Sequence, residues 1–258
     1  MNVFQALFLS IVQGLTEFLP VSSSGHLVLF QKLFGIVDPP VLFDVLLHLG
    51  TLFAIVVFFW KDIVSLIVDW KKKKNLWLFL ITGSIPAAIF GFLLNSKIDE
   101  IFNSLTLVSV SWIFFGLLLL LSHKFKFSKS NLKRREDEAK IEDGLIVGLF
   151  QAIALFPGVS RSGSTIIGGL WQKFSRETAF KMSFLLSIPA ILGAAALKLK
   201  DGQLSSLNLG TGILAIIISG VVGYFSLLVL QKILKSDKFY YFGFYCLALG
   251  ILVAFFGA

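Results

Sequence analysis

A short polar stretch near the start of the chain concentrates groups that can carry out acid–base and nucleophilic chemistry. It holds one amide, one carboxylate, three consecutive hydroxyls and one imidazole, at Gln13, Glu17, Ser22, Ser23, Ser24 and His26, with Gly25 among them. Gln13 and Glu17 are spaced i, i+4, so in a helix they share a face and point toward a common ligand. The serines would also suit the cap of a new helix. Capping does not account for Glu17, because an ionisable group inside an apolar segment is a functional hypothesis by default.

A second polar stretch, from Pro157 to Thr165, is rich in glycine and hydroxyl groups and carries a guanidinium at its centre. Arg161 is surrounded by small polar residues, namely Ser160, Ser162, Gly163, Ser164 and Thr165. Amides at a helix N-terminus attract anions, and arginine adds a full charge with bidentate geometry, so this stretch predicts a phosphate site. A structural ion pair between Arg161 and Glu17 is the alternative. A nucleotide-binding loop is rejected because Ser164 occupies the lysine position of that motif.

Other polar residues are weaker candidates. Asp44 and His48 are also spaced i, i+4 and could bind a metal, but we assign them to the outer mouth of the site or to contacts between helices. His123 ends an apolar segment beside Lys124 and is interpreted as solvated. The single Cys246 lies in an apolar segment, where a buried structural thiol is expected.

The polar stretches interrupt a sequence with the composition of a membrane protein. Of its 258 residues, 56% are apolar and 15% charged, and the mean hydropathy is +0.87, which excludes an ordinary soluble domain. The net charge of +8 lies in short clusters, so no nucleic-acid partner is expected. Because a helix needs about 20 residues to cross the hydrocarbon core, six spans are predicted: Phe43 to Trp60, Leu76 to Leu94, Leu105 to Leu121, Ala179 to Leu197, Leu209 to Leu230 and Phe239 to Phe256.

Two further apolar stretches run into the polar sequence and resume beyond it as short helices. The segments before and after the polar loops are Val3 to Leu19 and Leu27 to Phe34, then Leu145 to Phe156 and Ile166 to Trp171. Non-helical backbone is tolerated at membrane depth only where protein or a wet cavity satisfies its amides, so such loops usually line a site. We therefore predict an all-α polytopic membrane protein with six transmembrane helices and two re-entrant hairpins, whose loops are residues 20–26 and 157–165.

Basic residues and an internal repeat predict how the chain is oriented. Under this map 18 of the 23 lysines and arginines lie on one side, which should be cytoplasmic, so that both termini lie outside and the site opens to the outside. An offset of 138 residues superposes six identical residues, from Gln13 on Gln151 to Gly25 on Gly163. The sequence thus predicts one membrane domain, 1–258, with inverted repeats 1–122 and 144–258 and a cytoplasmic loop, 123–143.

These motifs resemble those of the bacitracin-resistance family of undecaprenyl-diphosphate phosphatases over essentially the whole chain. The resemblance is carried by Gln13 and Glu17, by Pro20 to His26 and by Pro157 to Gly163. It implies a bacterial cell-membrane enzyme that releases inorganic phosphate from a C55 isoprenyl diphosphate and requires a divalent cation, Mg²⁺ or Ca²⁺, with Glu17 as metal ligand. The product would be the lipid carrier used in cell-wall assembly. Gln13 stands where many members have Glu, which removes one metal-ligating carboxylate.

We expect Glu17, Ser23, His26 and Arg161 to be catalytic. The expected substrate-binding residues are Gln13, Ser22, Ser24, Gly25, Ser160, Ser162, Gly163, Ser164 and Thr165. Three nucleophiles remain open: Ser23 with His26 as base, His26 itself, or water activated by His26. A transporter or flippase of polyprenyl phosphate is the alternative function, because inverted repeats with broken helices are also typical of alternating access. The expected partners are the isoprenyl diphosphate and membrane lipids; a homodimer is considered, although no residue pattern argues for it.

Overall fold

The computed structural model describes residues 1–36, 41–94, 97–124, 133–200 and 209–256. Helices form nearly all of these ranges. In chain order they are α1 (Val3–Phe18), α2 (Ser23–Leu33), α3 (Val41–Phe58), α4 (Trp60–Val68), α5 (Lys74–Leu94), α6 (Ile98–Asn103), α7 (Leu105–Lys124), α8 (Ile141–Ile153), α9 (Arg161–Trp171), α10 (Arg176–Lys200), α11 (Leu209–Lys235) and α12 (Tyr241–Phe256). A 3-10 turn, Glu136–Glu138, precedes α8.

The described helices include four that are long and apolar enough to cross a membrane: Lys74–Leu94, Leu105–His123, Arg176–Lys198 and Leu209–Lys235. A fifth candidate is the pair Leu42–Phe58 and Trp60–Val68, which is bent by 72°. The predicted span Phe43 to Trp60 therefore ends early, at the point where charged residues begin with Lys61 and Asp62. The predicted sixth span corresponds to α12, which has 16 residues. The protein is thus an all-helical membrane protein with four or five candidate spans.

The two short helices after the polar loops begin earlier than predicted. α2 starts at Ser23 rather than Leu27, and α9 starts at Arg161 rather than Ile166. In both cases a serine directly before the helix accepts a hydrogen bond from a first-turn amide, so the polar residues themselves form the first turn. As a result, Ser23 and Arg161 are held by regular helical backbone instead of by a loop.

Helices of the first half of the chain pack against helices of the second half. α1 packs on α11, and α8 packs on α5; α3 likewise packs on α11, and α10 on α5. α3 contacts α10, and α7 packs on α12. The packing of α7 on α12 is close because glycines meet there: a Cβ on Gly116 would lie 2.8 Å from the carbonyl oxygen of Gly243. Small residues permit this approach where packing, rather than the hydrophobic effect, joins helices in a membrane.

A cluster of buried aromatic side chains supports the polar loops. Trp112 and Phe115 of α7, Phe18 of α1 and Phe184 of α10 are all fully buried. The indole Nε1 of Trp112 donates to the carbonyl oxygen of Val21 at 2.9 Å, which satisfies a buried backbone acceptor in the first loop. The loops are therefore held by the packing of long helices rather than by their own sequence.

The segment before α8 is fastened to its surroundings by ion pairs. Arg134 donates to both carboxylate oxygens of Asp143, at 2.9 and 2.7 Å, and to the carbonyl oxygen of Gln172. Glu136 accepts from Lys73 at 2.8 Å and pairs with Lys181 at 2.5 Å. The second half of the predicted cytoplasmic loop 123–143 is consequently anchored to α5, α8 and α10. Residues 125–132 of that loop lie outside the described residues.

Candidate active site

The two polar loops contact each other directly. The amide of Gly158 donates to Ser22 Oγ at 3.0 Å, and Ser162 Oγ donates to the carbonyl oxygen of Phe18 at 2.9 Å. Their backbones are also close, because a Cβ on Gly25 would lie 3.1 Å from the Cα of Gly158. The structure thus brings together two stretches that are more than 130 residues apart in the sequence.

Ser22 and Ser160 cap the helices that leave the loops. Ser22 Oγ accepts from the amide of Gly25 at 3.3 Å, and Ser160 Oγ accepts from the amide of Gly163 at 3.2 Å. The capping interpretation is therefore correct for these two serines. Ser22 has φ +67°, a left-handed conformation that costs a non-glycine residue of order 1–3 kcal/mol and is concentrated at functional sites. Both helix N-termini add partial positive charge to the site.

A buried ion pair joins the first loop region to the second. Arg161 Nη2 donates to Glu17 Oε1, and the two side chains are 19% and 5% exposed. The other guanidinium nitrogen, Nη1, donates to the carbonyl oxygen of Ser187 at 3.3 Å. The ion pair considered from the sequence is therefore present. It places a full positive charge at the start of α9, where that helix's free amides also point.

The second oxygen of the Glu17 carboxylate is a meeting point for three side chains. Ser23 Oγ donates to Glu17 Oε2 at 2.5 Å, and Gln13 Nε2 donates to it at 3.1 Å. His48 Nε2 lies 3.7 Å from the same oxygen. Gln13 and Glu17 do share one face of α1, as their spacing predicts. The short bond from Ser23 places a hydroxyl directly on a buried base.

The two ring nitrogens of His26 bond to groups other than Ser23, the serine for which His26 is the base in one of the three mechanisms left open by the sequence. Its Nδ1 is 2.7 Å from the carbonyl oxygen of Ser22, and its Nε2 is 2.7 Å from the hydroxyl of Tyr245. A carbonyl only accepts, so Nδ1 carries the proton and Nε2 accepts from Tyr245. The ring also packs edge-on against Trp112 at 5.2 Å. Both nitrogens are thus engaged, and the base beside Ser23 is the carboxylate of Glu17.

The remaining predicted binding residues mostly brace the loops. Ser24 Oγ lies 3.2 Å from Ser22 Oγ, and Ser162 Oγ lies 3.0 Å from Ser160 Oγ. Gly25 and Gly163 are packed so closely that an added Cβ would lie 2.8 Å from Trp112 and 2.5 Å from Phe115. These glycines permit the close approach of the loops to α7.

Two predicted residues in the first turns of α9 face its neighbours. Thr165 Oγ1 donates to the carbonyl oxygen of Arg161 at 2.9 Å and lies 2.5 Å from Ser183 Oγ. Ser164 is 1% exposed, and its hydroxyl lacks a hydrogen-bond partner among the described residues. Thr165 therefore acts through the packing of α9 on α10.

Sequence reasoning missed Tyr245 and Ser187 and undervalued His48. Tyr245 is one aromatic residue in an apolar helix, and Ser187 contributes only its backbone, so neither carried a signal. The sequence assigns His48 to the outer mouth or to contacts between helices, and the structure shows such a contact, since its Nε2 lies 3.7 Å from Glu17 Oε2. Asp44, its i−4 neighbour, accepts from Gln31 Nε2 at 2.9 Å and holds His48 through its carbonyl oxygen.

The oxygen atoms around Glu17 fit a hard cation in part. The described residues contain no cluster of three or more His, Cys, Asp or Glu side chains that could hold a metal ion. The fully buried Gln13, however, has a side-chain oxygen, Oε1, that receives no hydrogen bond from the described residues. A buried acceptor without a donor is costly. The carboxylate of Glu17 and Oε1 of Gln13 can therefore serve as oxygen ligands of a cation.

Comparison with known proteins gives matches along almost the whole chain. The family model described as bacitracin resistance protein BacA matches residues 6–252. A protein named undecaprenyl-diphosphatase from Halothermothrix orenii is 41% identical over 256 residues, which covers 98% of this chain and 97% of the relative. The protein of that name from Thermosipho africanus is 44% identical over 255 residues, with coverages of 96% and 98%. Undecaprenyl-diphosphatase 3 of Bacillus cereus is 39% identical over 258 residues, with coverages of 98% and 96%.

Proposed function

The chain belongs to the bacitracin resistance protein BacA family, and from this premise we propose that it is an undecaprenyl-diphosphatase. It is an integral membrane phosphatase that hydrolyses undecaprenyl diphosphate to undecaprenyl phosphate and inorganic phosphate. Recycling of this lipid carrier supports cell-wall synthesis, and bacitracin resistance follows from the family. One observation carries the proposal: a single buried carboxylate, Glu17, accepts from the hydroxyl of Ser23 and pairs with the guanidinium of Arg161.

Arg161 and the two helix N-termini bind the diphosphate. The substrate headgroup carries several negative charges, so catalysis depends on positioning and on neutralising the transferring phosphoryl group. Arg161 stands first in α9, where its guanidinium and the free amides of that turn meet one anion. The first-turn amides of α2 directly follow the first polar loop, which contacts the second. The same arginine that holds Glu17 in the free protein can therefore turn its outer donors to the terminal phosphate.

Ser23 is the nucleophile that this geometry supports best. Its Oγ attacks the terminal phosphorus while its proton passes to the carboxylate of Glu17, which already accepts a hydrogen bond from it. The bond from phosphorus to the bridging oxygen breaks, and undecaprenyl phosphate leaves with the electron pair. Glu17 gives up its proton to the leaving oxygen. Water then attacks the phosphoserine, its proton passes to Glu17, and the Ser23 oxygen is reprotonated as inorganic phosphate departs.

A divalent cation fits beside this carboxylate. Glu17 and the donor-free Gln13 Oε1 are oxygen ligands of the kind that Mg²⁺ and Ca²⁺ prefer, and substrate phosphates commonly complete such a site. Such an ion supplies charge neutralisation at the phosphate oxygens. Gln13 offers a side-chain oxygen as a ligand, although the resemblance implies a carboxylate at this position in many members of the family, so activity is expected with Gln here.

The membrane arrangement belongs to the same proposal. Six crossings and two re-entrant hairpins, in inverted repeats, are supported by the reciprocal packing of α1 on α11 and α8 on α5. The pairs α3–α11 and α10–α5 repeat this relation. The basic segments then face the cytoplasm and the site opens to the outside, with both termini extracytoplasmic. The lipid tail lies along the apolar surface between helices, while the headgroup reaches the loops.

Phosphate release from a long-chain isoprenyl diphosphate tests the proposal. Purified wild-type protein in detergent should liberate phosphate, and a chelator should suppress the reaction. Ser23→Ala should lower the rate at least about 100-fold, as loss of a strong transition-state contact does. Ser122→Ala is a matched control, because Ser122 is also buried, and its hydrogen-bond partner among the described residues is the backbone of its own helix. Absence of phosphate release by the wild type would contradict the proposal and favour a transporter, which vesicle assays would then detect.

A further inference from the structure

His48 is oriented as histidines that bind metal ions are. Its Nδ1 lies 2.7 Å from the carbonyl oxygen of Asp44, and because a carbonyl only accepts, Nδ1 carries a proton. In the neutral ring, the lone pair of Nε2 is then directed at Glu17 Oε2, 3.7 Å away. Metal-binding histidines almost always donate their other ring N–H to a carbonyl or carboxylate in this way, which fixes the tautomer.

The distance between the two atoms suits a shared ion better than a direct bond. At 3.7 Å, Nε2 and Oε2 are beyond the range of a hydrogen bond. Two atoms that each lie about 2.1 Å from one cation are at most about 4.2 Å apart. Two acceptors that face each other at this separation repel unless a positive charge lies between them.

Gln13 supplies a third donor atom at the same place. Its Nε2 donates to Glu17 Oε2 at 3.1 Å, while its Oε1 is buried without a hydrogen-bond donor among the described residues. Amide oxygen and nitrogen atoms exchange positions by a flip of the side chain. The flip would turn Oε1 toward the gap between Glu17 and His48. After the flip, the buried Oε1 would have a partner only if a cation lay in that gap.

We propose that Glu17 Oε2, His48 Nε2 and Gln13 Oε1 are ligands of one divalent cation, so that the site is a mixed nitrogen–oxygen site rather than an all-oxygen one. This inference rests on the proposed function, since the cation is the one that the phosphatase reaction requires. The His48 side chain is 32% exposed, so it is less buried than the carboxylate that it faces. An imidazole ligand favours the later transition metals over Ca²⁺, which takes oxygen ligands, and Mn²⁺ accepts an imidazole beside oxygen ligands.

Binding of Mn²⁺ alone, without substrate, tests the inference. In pulsed electron paramagnetic resonance of the purified protein, a directly bound imidazole produces a ¹⁴N coupling to the manganese. We expect this coupling in the wild type and its loss in His48→Gln, whose Kd for Mn²⁺ should rise at least about tenfold. The Kd for Ca²⁺ should change less, because Gln replaces nitrogen with an oxygen ligand. His26→Gln and His123→Gln are matched controls, since the chain has 3 histidines, and both should keep the coupling.

Two results would overturn the inference. One is a wild-type protein whose bound Mn²⁺ shows no ¹⁴N coupling, a measurement that needs no variant to fold. The other is a coupling that persists in His48→Gln. The binding measurement does not use phosphate release, so a failure of this inference can be distinguished from a failure of the proposed function. A protein that binds Mn²⁺ through His48 but releases no phosphate would refute the phosphatase proposal alone.

Discussion

The ion pair between Arg161 and Glu17 has two possible roles, and one set of substitutions separates them. The pair could be structural, holding the loops together, or it could be part of the catalytic site. Arg161→Met removes the guanidinium and leaves a carboxylate that is 5% exposed without its ionic partner. Glu17→Gln removes the opposite charge. In the double variant Glu17→Gln/Arg161→Met, neither buried charge remains.

The burial of the pair sets the expected effect on stability. Removing one partner of a buried ion pair costs about 3–5 kcal/mol, whereas replacing both with neutral groups is often close to neutral. For a chain of this length 1 kcal/mol corresponds to roughly 2–4 °C in Tm, so Arg161→Met should melt roughly 6–20 °C below the wild type. The double variant should recover most of that loss.

Activity should follow a different pattern. If Arg161 binds the transferring phosphate, kcat/KM falls at least about 100-fold in Arg161→Met, which corresponds to about 2.7 kcal/mol. The double variant should remain at least as inactive, because restored stability replaces neither the phosphate ligand Arg161 nor the carboxylate of Glu17 that accepts the proton of Ser23. Tm can be followed by tryptophan fluorescence in detergent, since the chain has 5 tryptophans, and activity by release of inorganic phosphate.

One outcome would refute this reasoning. If the double variant regained phosphate release together with its Tm, the pair would be a structural contact only, and Arg161 would have no part in the reaction. A single variant of unchanged Tm would in turn show that the pair contributes nothing to stability.

Three further predictions follow from individual contacts. His26→Gln should lower kcat less than tenfold while Ser23→Ala lowers it at least about 100-fold, because the imidazole is engaged away from the serine; equal losses would restore His26 as the base. Gly163→Ala should lower both Tm and activity, since its Cβ would lie 2.5 Å from an aromatic ring, whereas Gly193→Ala, whose Cβ would meet no atom of the described residues within 4 Å, should leave both near wild type. Burial acts to raise the pKa of Glu136, but hydrogen bonds and charges from two lysines together lower that pKa below its ordinary value of 4.5. Its contribution to stability is therefore complete above pH 4.5 and is lost as the pH falls through the lowered value, so Glu136→Gln should lower Tm at pH 7 more than at pH 3.

Local patterns in the sequence predicted the parts of the site that a single turn of helix determines. Gln13 and Glu17 share a face because of their spacing, and Ser22 and Ser160 cap helices because serine oxygens accept from first-turn amides. The same reasoning left open whether His26 serves as the base for Ser23. Their spacing allows contact, but a tyrosine 219 residues away in the sequence holds the imidazole.

The predicted starts of the two short helices, α2 and α9, were wrong for a related reason. Apolar periodicity placed their starts at Leu27 and Ile166, yet both begin four or five residues earlier. Hydrophobicity marks the residues that face lipid or core, whereas a helix start depends on which amides find a cap. Polar first turns are therefore invisible to a hydropathy pattern.

The sequence by itself determined that the chain is helical and apolar, that it carries two polar loops, and that one loop offers a carboxylate and a hydroxyl while the other offers an arginine. Only the tertiary structure decided that Glu17 meets Arg161 across 144 residues of chain, and that His48 rather than His26 faces that carboxylate. The physical reason is that composition and spacing fix each helix and its polar face. Which faces meet depends on how α1, α3, α9 and α11 pack, and that packing is settled by contacts between residues far apart in the sequence.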